Sequence, residues 1–328
     1  MKYRPLGHTG VKLSALCLGT AFRAQDDEQI CIQVIDRALD FGCNFIDTAF
    51  YGEGRSETVV GKAIKDKREE VFLCTKIFGT RHPSPNHNGL TRLNLVRGVE
   101  DSLNRLQTDH IDLYLLHSFD PNTPLEETLR ALDDMVRSGK VRYIGCSNFS
   151  AWKIVEALWQ SDRRNLARFV CIQDQYNLLN RWEIEPDLMP LCREHGIGIM
   201  TYSPLAIGLL TGQFRRGQAP PPGNNPWNKK EPGRGFSAHK YDFETAMTER
   251  VDQIVQTLID IGSRHDRTPA QIAIAWILDH PEVTAPILGA DQPEQVDEAF
   301  QAVEWHLPTE ERQALDEVSQ VDMPAKWA

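Results

Sequence analysis

Four side chains in the first half of the chain, Asp47, Tyr51, Lys76 and His117, have the types needed to move a proton at a carbonyl. A phenol can give the proton, an ammonium can favour its release, a carboxylate can hold the ammonium, and an imidazole can bond the carbonyl oxygen. Three of them close apolar, strand-like runs: Asp47 ends Cys43-Asn44-Phe45-Ile46, Lys76 ends Val71-Phe72-Leu73-Cys74-Thr75, and His117 ends Ile111-Asp112-Leu113-Tyr114-Leu115-Leu116. Tyr51 follows Asp47 by four residues. Strands of a parallel β/α barrel all open their C-terminal ends onto one face, so such residues would meet there.

The elements that must position them alternate along the chain. Strand-like runs lie near 14–18, 43–47, 71–76, 111–116, 142–146, 169–173, 197–202 and 284–288. Helical periodicity lies near 27–41, 55–65, 91–106, 124–138, 150–160, 183–195, 268–279 and 293–303, with two more helices near 246–264 and 309–319. Thr123 before Pro124 and Thr268 before Pro269 read as helix N-caps. Eight strands each followed by a helix predict a single α/β domain over residues 1–328, a (β/α)8 TIM barrel. The segments Tyr3-Arg4-Pro5-Leu6 and Lys12-Leu13 flank Gly7-His8-Thr9-Gly10 as an N-terminal hairpin would, covering the barrel bottom. Residues 214–245, rich in Pro and Gly, break the rhythm after the seventh strand and read as a lid loop.

Bulk composition narrows the partners. Lys plus Arg total 36 against 46 Asp plus Glu, a net charge of −10, which disfavours nucleic acid and anionic membrane. The seven cysteines form no metal-like spacing, and an odd, dispersed set suits a reducing compartment. The N-terminus lacks a signal-peptide pattern and no run approaches membrane-spanning length, so a cytoplasmic protein is expected.

Three stretches carry a family resemblance. Gly42-Cys43-Asn44-Phe45-Ile46-Asp47-Thr48-Ala49-Phe50-Tyr51-Gly52-Glu53-Gly54-Arg55-Ser56-Glu57 is the first; Ile144-Gly145-Cys146-Ser147-Asn148-Phe149-Ser150 is the second; Thr201-Tyr202-Ser203-Pro204-Leu205-Ala206-Ile207-Gly208-Leu209-Leu210-Thr211-Gly212 is the third. Together they resemble the aldo-keto reductase superfamily, in its potassium-channel β-subunit-like branch. The resemblance implies an NAD(P)-dependent oxidoreductase acting on an aldehyde, ketone or sugar carbonyl, with Tyr51 as proton donor and Asp47, Lys76 and His117 around it. It implies that Ser147, Asn148 and Gln173 bind the nicotinamide carboxamide and that Tyr202 stacks on the ring. The loop with Ser203, Leu205 and Gly208 would face the pyrophosphate, and Gly289, Asp291, Gln295 and Glu298 the adenosine end. No cation stands in that last run and Gln213 replaces a lysine, which favours NAD over NADP, unless Arg215 or Arg216 compensates from the lid. One departure stands out: Asp47 and Tyr51 are four apart, where the family's usual pattern has one residue more, so the loop must bend more tightly. The same branch implies an alternative, a cofactor-binding regulatory subunit with little or no catalysis, and oligomeric state is unread.

Overall fold

The computed structural model describes residues 1–79, 86–220, 227 and 243–320. Two short antiparallel strands open the chain, β1 (Tyr3–Pro5) and β2 (Lys12–Ser14). Eight strands follow: β3 (Cys17–Gly19), β4 (Phe45–Asp47), β5 (Phe72–Ile77), β6 (Ile111–Leu116), β7 (Val141–Ser147), β8 (Phe169–Gln175), β9 (Gly198–Tyr202) and β10 (Val283–Gly289). They close into a barrel in that order, every neighbour parallel, with β10 returning to pair with β3. The expected eight-stranded α/β barrel is therefore the fold.

The helices outside the barrel are α1 (Glu28–Asp40), α2 (Arg55–Ala63), α3 (Arg92–Leu106), α4 (Leu125–Arg137), α5 (Ala151–Arg164), α6 (Leu188–His195), the short α7 (Phe243–Ala246), α8 (Glu249–His265), α9 (Pro269–Leu278), α10 (Pro293–Phe300) and α11 (Thr309–Val318). Thr268 caps α9 as expected, in a reciprocal capping box with Gln271. Thr123 does not cap α4: its hydroxyl donates to Asp120 Oδ2 at 2.6 Å, and the helix starts after Pro124. The helix expected at 183–195 begins only at Leu188. Pro186 lies just before it, where a missing N–H and a restricted preceding residue oppose an earlier start. The lid expectation for 214–245 falls mostly on residues outside those described.

Side-chain alternation along each strand fixes what faces inward. The interior is filled by Phe45, Cys74, Leu113, Leu115, Cys171, Met200, Ala285 and Ile287, with Leu6 and Leu13 of the hairpin packed among them. The hairpin thus plugs the bottom, where Leu6, Leu13 and Cys17 are fully buried. Arg4 donates to the carbonyls of Leu278, His280 and Val283, tying the start of the chain to the approach to β10. The opposite phase of each strand packs beneath the helices: Leu73, Tyr114, Leu116, Ile144 and Ile172 join Val34, Leu95, Leu129 and Ile154 in the larger core. All seven cysteines are buried free thiols. No helix among the described residues is long and apolar enough to cross a membrane.

Candidate active site

The residues singled out for chemistry form the top layer of this interior. Asp47 stands two residues beyond the interior Phe45, Lys76 beyond Cys74, His117 beyond Leu115, Gln173 beyond Cys171 and Tyr202 beyond Met200. A period of two therefore turns all five toward the barrel axis at its C-terminal mouth.

At the centre, the Lys76 ammonium donates to both carboxylate oxygens of Asp47 at 2.6 Å and to the carbonyl of Thr48 at 2.9 Å. Side-chain exposure is 0% for Lys76 and 5% for Asp47, so the pair is out of water. Burial alone would discharge the lysine, yet the Asp47 carboxylate beside it holds its pKa above the ordinary lysine value. Gln173 reaches across the barrel and donates to Asp47 Oδ1 at 2.9 Å, fixing the carboxylate from the far side.

Tyr51 and His117 face this pair. The Lys76 nitrogen lies 5.8 Å from the Tyr51 ring centre, and the Tyr51 and His117 rings meet edge-on at 6.1 Å. Tyr51 arrives there despite the short connection. Its N–H bonds the carbonyl of Ala49 at 2.6 Å, while Phe50 sits at φ −66°, ψ 42°. That is an inverse γ-turn, the tightest reversal the backbone offers, and it supplies the bend the four-residue spacing demands.

Burial sets both rings' protonation. It raises the Tyr51 phenol above its ordinary value, and the Lys76 charge pulls it back only in part. The expectation that the cation would lower the phenol's pKa below normal is thus corrected for the protein alone: desolvation outweighs it. Burial, followed by the charges of Lys76 and Arg23, pushes His117 down to about 3. That favours the neutral imidazole, which can hydrogen-bond without carrying charge.

Around the other side of the mouth, Asn148 is held in the left-handed region at φ 59°. Its N–H is shared between the Gln173 carbonyl at 3.3 Å and Asp174 Oδ1 at 3.2 Å. Its side-chain amide donates to the His117 carbonyl at 3.0 Å and to Ser147 Oγ at 2.8 Å, and accepts from the Tyr202 hydroxyl at 2.9 Å. Asn148 therefore joins the ends of four strands, β6, β7, β8 and β9. Ser147 keeps a hydroxyl proton and Gln173 a carbonyl oxygen that bond nothing among the described residues. A donor and an acceptor side by side match the two ends of a carboxamide, and the Tyr202 ring adds a stacking face, so a nicotinamide fits these groups.

Beyond β9 the chain passes through left-handed geometry at Ser203 (φ 55°), Ala206 (φ 48°), Ile207 (φ 58°) and Gly208 (φ 87°). Asn177 holds the Ser203 carbonyl at 2.8 Å, and Trp227 donates to that of Ile207 at 3.2 Å. Such strain in three non-glycine residues marks a loop shaped for more than connection. Leu205 sits half-buried in the same turn.

The run after β10 is different. Gly289 and Gln295 are exposed, and Asp291 and Glu298 half-buried. Asp291 Oδ2 accepts the N–H of Ala24 at 3.3 Å, and the Asp291 carbonyl takes the Gln25 amide at 3.3 Å. The Gln295 side chain caps the N–H groups of Asp291 and Gln292 at 2.7 and 3.2 Å. Glu298 uses its backbone carbonyl, bonded by Gln271. Arg215 is engaged by Asp252 at 2.8 Å, and Arg216 lies 3.8 Å from Glu249. The preference for NAD over NADP gains nothing from this geometry.

Sequence reasoning missed the contact of Gln173 with Asp47 and the stacking of Arg105 over Phe50 at 4.8 Å. The first was available in the shared interior phase of the two strands; the second joins residues with no local pattern.

Relatives agree with the geometry. A model of the "Aldo/keto reductase family" matches residues 15–320. An uncharacterized oxidoreductase of Bacillus subtilis, YrpG, is 36% identical, the match covering 97% of this chain and 96% of that protein. Two proteins named "Probable voltage-gated potassium channel subunit beta", from Arabidopsis thaliana and from Oryza sativa, are 35% and 33% identical, each match covering 98% of this chain and 96% of the relative. With a buried Asp47–Lys76 pair, a facing Tyr51 and a matching model along most of its length, the chain belongs to the aldo/keto reductase family.

Proposed function

We propose that the protein is a catalytically active oxidoreductase of the barrel mouth just described, converting an aldehyde, ketone or sugar lactol to or from its reduced partner. The observation that carries this is the buried Lys76–Asp47 pair with the Tyr51 ring 5.8 Å from the ammonium. When bound, the nicotinamide supplies or accepts a hydride at the carbonyl carbon. Tyr51 gives the carbonyl oxygen its proton; its hydroxyl bonds nothing among the described residues and is left for that purpose. Lys76 favours the phenolate that results, through its charge, since all three of its protons are engaged by Asp47 and Thr48. Neutral His117 orients the carbonyl by a hydrogen bond. Gln173 and Ser147 take the carboxamide, Asn148 holds Ser147 and Tyr202 in place, and the Ser203, Leu205 and Gly208 turn receives the pyrophosphate. Gly289, Asp291, Gln295 and Glu298 border the adenosine.

The test is turnover of NADH and NADPH with a panel of aldehydes, ketones and sugars. Tyr51→Phe should lower carbonyl reduction by about 10²–10⁴ and leave cofactor affinity nearly unchanged, because only the proton donor is lost. Wild-type turnover by Tyr51→Phe sinks the assignment. Asp291 and Gln213 favour NAD in this reading, and tighter binding of NADPH than NADH in a direct titration overturns that preference. A second reading, a cofactor-binding regulatory subunit, draws on the names of the two plant relatives. It expects nicotinamide binding without turnover on any of the carbonyls. Under the enzyme reading the partners expected are small molecules rather than nucleic acid or membrane, in the cytoplasm.

A further inference from the structure

The connection between β4 and α2 is wound unusually tightly. After the γ-turn at Phe50 come three consecutive left-handed residues, Gly52 (φ 57°), Glu53 (φ 61°) and Gly54 (φ 92°). Glu53 has no glycine's freedom, so something outside the loop must hold it in this shape. The described structure shows what touches the loop on either side of Glu53. Arg105, in the last turn of α3, lays its guanidinium over the Phe50 ring at 4.8 Å. A Cβ on Gly54 would come within 2.5 Å of Arg105 Cδ and 3.2 Å of the Phe50 ring, so Gly54 is the gap through which the arginine reaches the ring.

Arg105 is itself fixed. Its Nε donates to Glu57 Oε2 at 2.7 Å, and the other Glu57 oxygen accepts the Thr75 hydroxyl at 2.6 Å. Glu57 is fully buried while Arg105 is a quarter exposed, so water screens this pairing only in part. Thr75 immediately precedes Lys76. One chain of contacts, Phe50–Arg105–Glu57–Thr75, thus runs from the residue before Tyr51 to the residue before Lys76, by a path outside the barrel.

We infer that Phe50 and Arg105 are positioning residues: the stacked guanidinium holds the shortened loop so that the Tyr51 hydroxyl stands at working distance from Lys76 and the substrate carbonyl. The inference rests on Tyr51 acting as the proton donor. Phe50 faces a groove lined also by Glu53, Lys76, Asp101 and Arg105.

Phe50→Ala separates this role from structure, because it leaves Arg105–Glu57–Thr75 intact. Its kcat should fall at least tenfold, equally for small and bulky carbonyls, with nicotinamide affinity unchanged within twofold. The limb of the pH–rate profile that reports Tyr51 should move, since the phenol's distance from the lysine changes. Phe50→Tyr, which keeps the aromatic face, should restore both. Arg105→Lys, which keeps the charge for Glu57 but loses the planar stack, should resemble Phe50→Ala. If Phe50→Ala melts without cooperativity, Phe50→Leu replaces it, retaining bulk without the π face. Wild-type kcat and pH profile in the folded variant overturn the inference. So does a rise in carbonyl KM that grows with substrate size, which would make Phe50 a pocket wall. Tyr51→Phe is measured alongside: if it remains active the site reading has failed, whereas if it is inactive and Phe50→Ala is not, only the positioning role has.

Discussion

The centre around Asp47 and Lys76 and the run from Gly289 to Glu298 both lie at the C-terminal mouth, yet their polar groups are used in opposite ways. In the centre, strand ends converge and hydrogen bonds build a charge: Asp47 takes Lys76 and Gln173, and the Tyr51 hydroxyl is left over. In the later run, polar side chains hold backbone instead: Gln295 caps Asp291 and Gln292 in its own turn, and Asp291 accepts the N–H of Ala24 from the segment after β3. The first arrangement is rigid because eight paired strands fix it. The second is held by a few single hydrogen bonds, and its side chains can be exchanged at small loss.

Lys76→Met tests the contrast where the effect is largest. It leaves the Asp47 carboxylate buried without its cation, at a cost of about 3–5 kcal/mol in stability, besides removing the charge that favours the Tyr51 phenolate. Turnover should fall by roughly 10²-fold or more, and thermal melting should shift down clearly. A variant with the wild-type melt and pH–rate profile would break the claim that this centre is a buried, coupled unit.

Acid titration gives a middle-sized effect. Burial holds His117 at about 3 and His280, beneath α11, at about 4. The unfolded chain protonates both near pH 6.5, so the folded state binds fewer protons below that value. Stability is then complete above about pH 6.5 and declines as pH falls toward about 4 and 3. His117→Gln should remove roughly 1–2 kcal/mol of the decline between pH 8 and pH 5, read from denaturant unfolding at the two values. An unchanged slope would mean that His117 is solvated and charged in the native protein.

The smallest effect belongs to the run after β10, proposed above to border the adenosine. Asp291→Ser combined with Gln213→Lys should raise NADPH affinity about tenfold and leave NADH little altered, with the barrel losing no more than the about 0.5–1.5 kcal/mol of one hydrogen bond. Equal affinities before and after substitution would place the phosphate elsewhere and sharpen the comparison by removing Asp291 from the cofactor.

What could be read from the sequence follows the same division. The strand ends were legible because a single period of two carries both the core residue and the functional residue after it, as in Cys74 and Lys76 or Leu115 and His117. Thr268 was legible as a cap because its partner Gln271 lies within the same turn. Thr123 was not, since Asp120 competes for its hydroxyl. The γ-turn at Phe50 was implied by a missing residue but not specified, because its clamp comes from Arg105, far along the chain and silent in local pattern. The protonation of Tyr51 was misjudged for a related reason: spacing reveals a neighbouring lysine but not how completely both are buried.

The pairing of β3 with β10 bears on how the molecule comes into being. Cys17 must meet Ile287 before the sheet has no free edge, and Arg4 cannot bind the carbonyls near residue 280 until those exist. A chain synthesised from its N-terminus therefore carries an open, apolar sheet with two unpaired edges until nearly all of it has emerged. Closure over so long a loop makes folding slow and its final step all-or-none. The hairpin that seals the bottom of the finished barrel is, during synthesis, the part that waits longest for its partner.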